Sequence, residues 1–487
     1  MSYFPSQFGL QNFKAFGQYS QLLDIKPITL IYGKNSSGKS SIFHSLLYLH
    51  ELARSGLTKD VFRTNLGEEF VDLGGFGNYV HGKSLERNIT FSYEFSNNDD
   101  FSPWEIRVSL RHRNGKPELF RKDFLCQGQR AFEFVLADGQ ENTYEIEFHE
   151  DSEWFKKVIP KEIQGNIQEL VDDSLRFYAN TNSHLFLSGK WLDKEVFDLN
   201  LLPLDNFESF LDQVVYLAGL RTVPEKSFFD GALPSQQNLN AGGMVYWDEI
   251  RSNKETRHLV NHWLALLFNE ENAQKPRYEI KVNPFFSPTQ AAELALNHFR
   301  KFQDEEFDPK TFDPRDAQGQ FRQALNKIQS SLQMMRIIQD GNDDLQLTAK
   351  ELGVGVSQVI PLLGVACQRE RFIMIEQPEI HLHPKQQADL GTIFSQSVKT
   401  KNNCFLIETH SIHVLERLGK TIRETTNGSD YKGVQLSPED VAVYYVDPCP
   451  EGDASGAELI QLSVLDDGRL DPPFPGGFFN EDLGDLF

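Results

Sequence analysis

At 487 residues the chain is long enough for roughly two to four domains and a sizeable core. Hydrophobic residues make up 39% of it and charged residues 24%, with 39 Phe, a composition that excludes a disordered chain. An excess of 70 Asp+Glu over 48 Lys+Arg gives a net charge of −22, which opposes sequence-independent attraction to DNA and leaves a local basic groove as the one electrostatic route to it.

Apolar stretches such as residues 359–367 are less than half of the roughly 20 residues that cross a bilayer. The opening MSYFPSQFGLQNFKAFG lacks a basic region followed by an apolar one, so a cytoplasmic location without membrane attachment is expected. Cys126, Cys367, Cys404 and Cys449 are far apart and show no C-x-x-C spacing, which predicts reduced thiols and neither a zinc cage nor a disulfide framework. No repeat with a period of 20 to 50 residues argues for a solenoid or propeller.

In chain order, residues 1–126 alternate β-like runs (28–32, 89–95, 104–110) with a helical pattern after Lys39, predicting an α/β lobe with an antiparallel sheet attached. Residues 127–211 read as an insertion of mixed character with a strand at 144–148, and 212–245 as a return to the lobe. Over 246–345 a helical arm is expected. Ser287-Pro288 supplies a cap and a first-turn proline, and apolar residues recur at Ala291, Leu294, Ala295 and Phe299. Residues 301–317, with two Pro and many acids, predict an exposed loop before helix resumes near Phe321. Residues 346–487 carry Gly turns, apolar runs and short motifs, the marks of a second α/β lobe.

Four motifs carry chemistry. Gly33-Lys34-Asn35-Ser36-Ser37-Gly38-Lys39-Ser40 is a complete G-x-x-x-x-G-K-S between a β-like run and the helix-like stretch that opens at Ser41. A strand feeding such a loop and then a helix aims backbone amides and a helix N-terminus at phosphate, while Lys39 adds a cation and Ser40 a ligand for Mg²⁺. The run 372–375 ends in Glu376-Gln377-Pro378-Glu379, so a buried strand delivers an acid suited to the water shell of Mg²⁺. Just upstream, residues 352–358 form a Gly-rich turn with Gly355, Ser357 and Gln358 that opens a helix-like run. A further apolar strand, 404–407, ends in Glu408-Thr409-His410-Ser411, where His410 is suited to touch a γ-phosphate and position water. His381 and His383 have the spacing of a metal pair, but their place in this order favours a loop at a dimer interface.

The order phosphate loop, long insertion, V-G-V-S-Q turn, I-E-Q-P-E strand and E-T-H-S strand resembles ABC-type ATPase heads of the RecF, SMC and OLD kind. Within that group it resembles a bacterial AAA-family branch with an N-F-K-A-F strand (residues 12–16), Y-L-A-G-L-R (216–221), I-E-Q-P-E-I-H-L-H-P (375–384) and an F-P-G-G-F-F terminus (474–479). The resemblance implies an α/β, ABC-type P-loop head of two lobes with an inserted, partly helical region, binding ATP and Mg²⁺. It implies a homodimer or higher homo-oligomer through the ATP sites, in which the turn of Gly355, Ser357 and Gln358 covers the partner's nucleotide. It further implies antiphage defence beside a separate effector, a nuclease or toxin. Two rivals remain open: a RecF-like DNA-repair ATPase, and an ATP-stabilised scaffold that sequesters a partner.

The sequence departs from ABC heads at Gln377, where a Glu usually polarises water. An amide takes no proton, so either Glu379 or His410 orients water or hydrolysis is slow. Glu451-Gly452-Asp453 has too little chain around it for the Toprim nuclease of OLD proteins, and no HNH pattern is present, so no intrinsic nuclease is expected.

Overall fold

A computed structural model of the chain describes residues 4–55, 62–63, 72–96, 103–136, 143–158, 177–178, 210–225, 242–270, 273–285, 332–448 and 456–479. Contacts within the chain define two compact units. One comprises Met1–Leu220, Asn240–Gly242 and Gln368–Phe487, the other Arg221–Leu239 and Gly243–Cys367. The helix expected from Ser287, the loop at 301–317, the helix near Phe321 and the Glu451-Gly452-Asp453 turn lie outside the described residues.

The first unit carries two sheets. Ile28–Gly33 is free of charge and buried at every position. It lies inside a seven-stranded sheet ordered Val214–Leu217, Phe372–Glu376, Cys404–Glu408, Ile28–Gly33, Val441–Asp447, Glu458–Val464, Leu470–Asp471. The first five strands are parallel and the last two antiparallel. Parallel neighbours need long crossovers, here supplied in part by helices Lys39–Ser55, Pro384–Lys401 and Ile412–Thr426. His383, discounted above as a metal ligand, caps the second of these. Its Nδ1 accepts from the Lys385 amide at 3.4 Å while its own amide donates to Gln386 Oε1 at 2.9 Å, a capping box followed by Pro384 at the first helical position.

The second sheet is an antiparallel set of eight, ordered Phe177–Tyr178, Thr143–Phe148, Gln129–Leu136, Lys116–Cys126, Trp104–Arg113, Ile89–Phe95, Gln7–Gln11, Gln21–Asp24. Gln129–Leu136 and Thr143–Phe148, which sequence reading sets in an insertion, therefore pair into the same sheet as the N-terminal strands. The link is a tight hairpin at Gln127-Gly128, both with positive φ (51° and 76°), the turn whose twist suits paired strands.

One expectation is corrected. Asn12–Phe16 is a turn and no strand: the strand before it ends at Gln11, Asn12 and Lys14 take φ of 56° and 50°, and the Phe16 amide closes on the Phe13 carbonyl at 2.9 Å. Its spacing inserts Phe13 and Phe16 into the core, where both are fully buried. Burial of two aromatic rings outweighs the cost of two left-handed residues.

The second unit is not only helical. Met244–Ser252, Lys254–Phe268 and Val354–Ala366 are helices, but Tyr278–Phe285, Leu332–Gln339 and Asn342–Leu347 form an antiparallel sheet of three strands. A Cβ on Gly364 would lie 2.8 Å from that of Tyr246, so a glycine is what allows two of these helices to approach. The chain is thus α/β, with a mixed sheet, an attached antiparallel sheet and a partly helical second unit, the fold class expected from its sequence.

Candidate functional site

The phosphate loop leaves strand Ile28–Gly33 and enters helix Lys39–Ser55. Two glycines are required by contact. A Cβ on Gly33 would stand 2.6 Å from Ser37 Oγ and 2.8 Å from the Val446 carbonyl, and one on Gly38, whose φ is 113°, 2.6 Å from Ala15 Cβ. The Asn12–Phe16 turn thus lies against the loop. Within it Lys14 Nζ sits 2.6 Å from His44 Nδ1, one helical turn beyond Ser40.

Lys39 is buried, and its ammonium donates to the carbonyls of Gly33 (2.9 Å) and Lys34 (2.8 Å). Burial lowers its pKa, opposed by the charges of Glu408 and Glu379. Ser40 Oγ donates to Glu408 Oε2 at 2.9 Å. Glu408, 5% exposed, is driven upward in pKa by desolvation, against the Ser40 hydrogen bond and the charge of Lys39.

Glu376 ends its strand directly beside Glu408 in the parallel register, so both carboxylates leave the same face. Glu376 Oε1 accepts from the Tyr216 hydroxyl at 3.0 Å. Gln377 follows with φ of 43°, its amide donating to the Glu408 carbonyl at 2.7 Å. Glu379 spans the next turn: Oε1 accepts from the His410 amide (2.6 Å) and Oε2 from Thr409 Oγ1 (2.8 Å). Its carboxylate is committed to holding that turn. Desolvation, reinforced by Lys39, lowers the pKa of His410, which favours the neutral imidazole. The Tyr32 hydroxyl donates to the Ser411 carbonyl at 2.9 Å, and the Tyr32 ring is packed by Phe474 and Phe479 at 5.1 and 5.7 Å. The F-P-G-G-F-F segment therefore packs onto the strand that feeds the loop.

The first unit contains the loop from Gly33 to Ser41 together with Glu376, Gln377, Glu379 and His410. Gly355, Ser357 and Gln358 belong to the second unit. There the Ser357 hydroxyl donates to the Val354 carbonyl (3.0 Å). The buried Gln358 amide is bonded both ways to the backbone of Arg221, Oε1 accepting from its amide and Nε2 donating to its carbonyl at 2.8 Å each. Sequence reading missed Glu408 and the role of Tyr216. The available signal was position: an acid closing an apolar run of the same length as the one before Glu376.

The family model of the AAA ATPase domain matches residues 248–415, and that of a protein family of unknown function, DUF3696, matches 436–487. The first match covers about a third of the chain, so it is residues 248–415 that are similar to an AAA ATPase domain. Among solved structures it is similar to an Smc head bound to the C-terminal winged-helix domain of ScpA (TM-score 0.41, 11% identity, 95% of this chain and 98% of that one). It is also similar to the SMC head domain from Thermotoga maritima (0.39, 10%, 95% and 100%). A third is the Smc head with an extended coiled coil bound to the C-terminal domain of ScpA, derived from Pyrococcus furiosus (0.38, 11%, 94% and 96%). No curated protein matches the chain. No helix among the described residues is long and apolar enough to cross a membrane.

Proposed function

We propose that the chain binds ATP with Mg²⁺ and hydrolyses it slowly, as a switch that pairs with a second copy through its nucleotide sites. The observation that carries this reading is the loop itself: Lys39 folded onto the Gly33 and Lys34 carbonyls, with Ser40 beside carboxylates at the ends of parallel strands. Lys39 exchanges those neutral acceptors for phosphate oxygens, a stronger charge-assisted pairing. The amides from Lys34 to Ser41 surround the phosphates. Ser40 and Glu376 hold Mg²⁺, which when bound offsets the negative charge of the β- and γ-phosphates.

With Gln377 in the usual place of a base, the proton of attacking water has no strong acceptor there. Glu379 orients the His410 turn, and a neutral His410 accepts or relays the proton. Gly355, Ser357 and Gln358 act on the nucleotide of the second copy. The resemblance described above supports a cytoplasmic role in prokaryotic antiviral defence, with the ATP-bound assembly controlling a separate nuclease or toxin.

Steady-state phosphate release measured beside oligomer size tests this reading. Wild type is expected to turn over slowly and to enlarge with ATP. Gln377→Glu speeds release by about tenfold or more, since a positioned base contributes about 10²- to 10⁴-fold, and Ser357→Arg binds ATP without enlarging. Fast wild-type turnover indifferent to Gln377→Glu overturns the assignment of that residue. In cells that carry the gene with its chromosomal neighbours and resist phage, unchanged phage plating with Lys39→Ala overturns the defence role.

A further inference from the structure

The parallel register places two carboxylates, Glu376 and Glu408, side by side at the ends of neighbouring strands, and only one of them is hydrogen-bonded to the serine of the phosphate loop. That one is Glu408, through Ser40 Oγ at 2.9 Å. Glu376 is instead engaged by Tyr216 from the strand on its other side. From this difference we infer that Glu408 is the positioning residue of the cation site, fixing the Ser40 hydroxyl so that its lone pairs face the metal. The inference rests on the nucleotide reading above and deepens it.

A serine hydroxyl has one proton and two acceptor lone pairs, and it rotates freely unless that proton has a fixed acceptor. Given to Glu408, the proton points away from the loop, and the oxygen presents its lone pairs on the opposite side. A carboxylate behind the ligand also increases the ligand's electron density, as outer-shell partners of metal sites do. The acceptor is itself immobile. Glu408 is 5% exposed, its carbonyl accepts from the Gln377 amide, and its strand is hydrogen-bonded on both sides. Thr409, the next residue, is pinned by the Ile31 carbonyl and by Glu379. The acid thus stands on the strand between the phosphate-loop strand and the strand of Glu376. Through Ser40 it ties the loop to the segment that carries His410.

The test is equilibrium binding of a fluorescent ATP analogue to the full chain, titrated with Mg²⁺ and repeated in EDTA. Variants are Glu408→Gln, Glu408→Asp, Ser40→Ala and the Ser40→Ala/Glu408→Gln pair, each checked by thermal unfolding. Glu408→Gln is expected to raise the Mg²⁺ concentration at half-effect about 10- to 100-fold, the usual cost of losing an outer-shell partner, and to leave affinity in EDTA unchanged. Glu408→Asp, which keeps the charge but withdraws it, moves the same way by less and covers the case in which the Gln variant unfolds. Because Glu408 acts through Ser40, the double variant is no worse than Ser40→Ala alone. Mg²⁺ dependence unchanged by Glu408→Gln, or losses that add in the double variant, overturn this inference and leave the nucleotide reading standing. A folded wild type that takes up no nucleotide overturns both.

Discussion

The two sheets of the first unit place their charges differently, and the difference separates machinery from scaffold. In the parallel strands Ile28–Gly33, Phe372–Glu376 and Cys404–Glu408 the only charged residues are the two terminal acids, and every position before them is buried. In the antiparallel sheet charges occupy mid-strand positions and meet across neighbours. Arg121 pairs with Asp123 at 2.9 Å and with Glu133, while Arg130 reaches Asp123 at 2.9 Å and His149 reaches Glu133 at 3.2 Å. Carboxylates there already have guanidinium partners. At the ends of the parallel strands the acids meet hydroxyls, those of Ser40 and Tyr216, and Glu408 feels the charge of Lys39, which is the environment that a phosphate-bound cation needs. A charge at a strand end and a charge along a strand thus make opposite predictions when removed.

Lys39→Ala has the largest expected effect. Loss of about two charge-assisted hydrogen bonds to phosphate, each worth about 1.5–3 kcal/mol, lowers ATP affinity on the order of 10³-fold. The fold survives, because among the described residues the ammonium's hydrogen bonds go to two carbonyls and its burial carries a desolvation cost that the charges of Glu408 and Glu379 offset in part. Isothermal calorimetry beside circular dichroism checks both halves. Unchanged affinity sinks the phosphate-loop assignment.

Glu133→Ala tests the other sheet and is expected to do the reverse. It removes one of the two carboxylates that the half-buried Arg121 and Arg130 share, Asp123 being the other, and loss of a hydrogen-bonded charged partner in such a network costs about 1.5–3 kcal/mol of stability. ATP affinity of the folded protein stays that of wild type. A drop in affinity without loss of stability breaks the comparison, since it makes this ladder part of the site.

How much of this was legible follows the same division. Apolar runs gave three of the five parallel strands, Ile28–Gly33, Phe372–Glu376 and Cys404–Glu408, within a residue, because strands buried on both faces are written as continuous hydrophobic stretches; Val214–Leu217 and Val441–Asp447 were not read as strands. The reach of the antiparallel sheet was under-read. Its hairpins turn on Asn114-Gly115 and Gln127-Gly128, each pair with positive φ. The first is the strongest short hairpin signal a sequence offers, whereas a Gln in the second gives little warning. Glu408 was passed over because its partner Ser40 is distant in sequence, 368 positions away, and register between strands is a property of the sheet. Residues 12–16 deceived for a related reason. An N-F-K-A-F string has strand composition, and only the burial of both Phe rings forces the turn.

The smallest effect concerns pH, and it again distinguishes the phosphate-loop side. Burial, reinforced by the charge of Lys14, lowers the pKa of His44 to about 3, while the unfolded chain protonates it near the ordinary value of about 6.5. Between those two values the unfolded state binds a proton that the folded state refuses, so stability falls as pH falls, by at most about 1.4 kcal/mol per unit. His410, lowered in the same direction by burial and Lys39, adds to this slope. Glu408 opposes it: its folded pKa is raised, so the folded state takes up its proton first and gains as pH falls toward the unfolded value. The net slope of wild type therefore mixes both signs, and a difference isolates His44. His44→Gln keeps an acceptor for Lys14 but does not titrate. Its urea midpoint is expected to fall less than that of wild type between pH 7 and pH 5. Equal losses in the two proteins would show that the imidazole is protonated where it stands, and that the Lys14 ammonium is not its close neighbour.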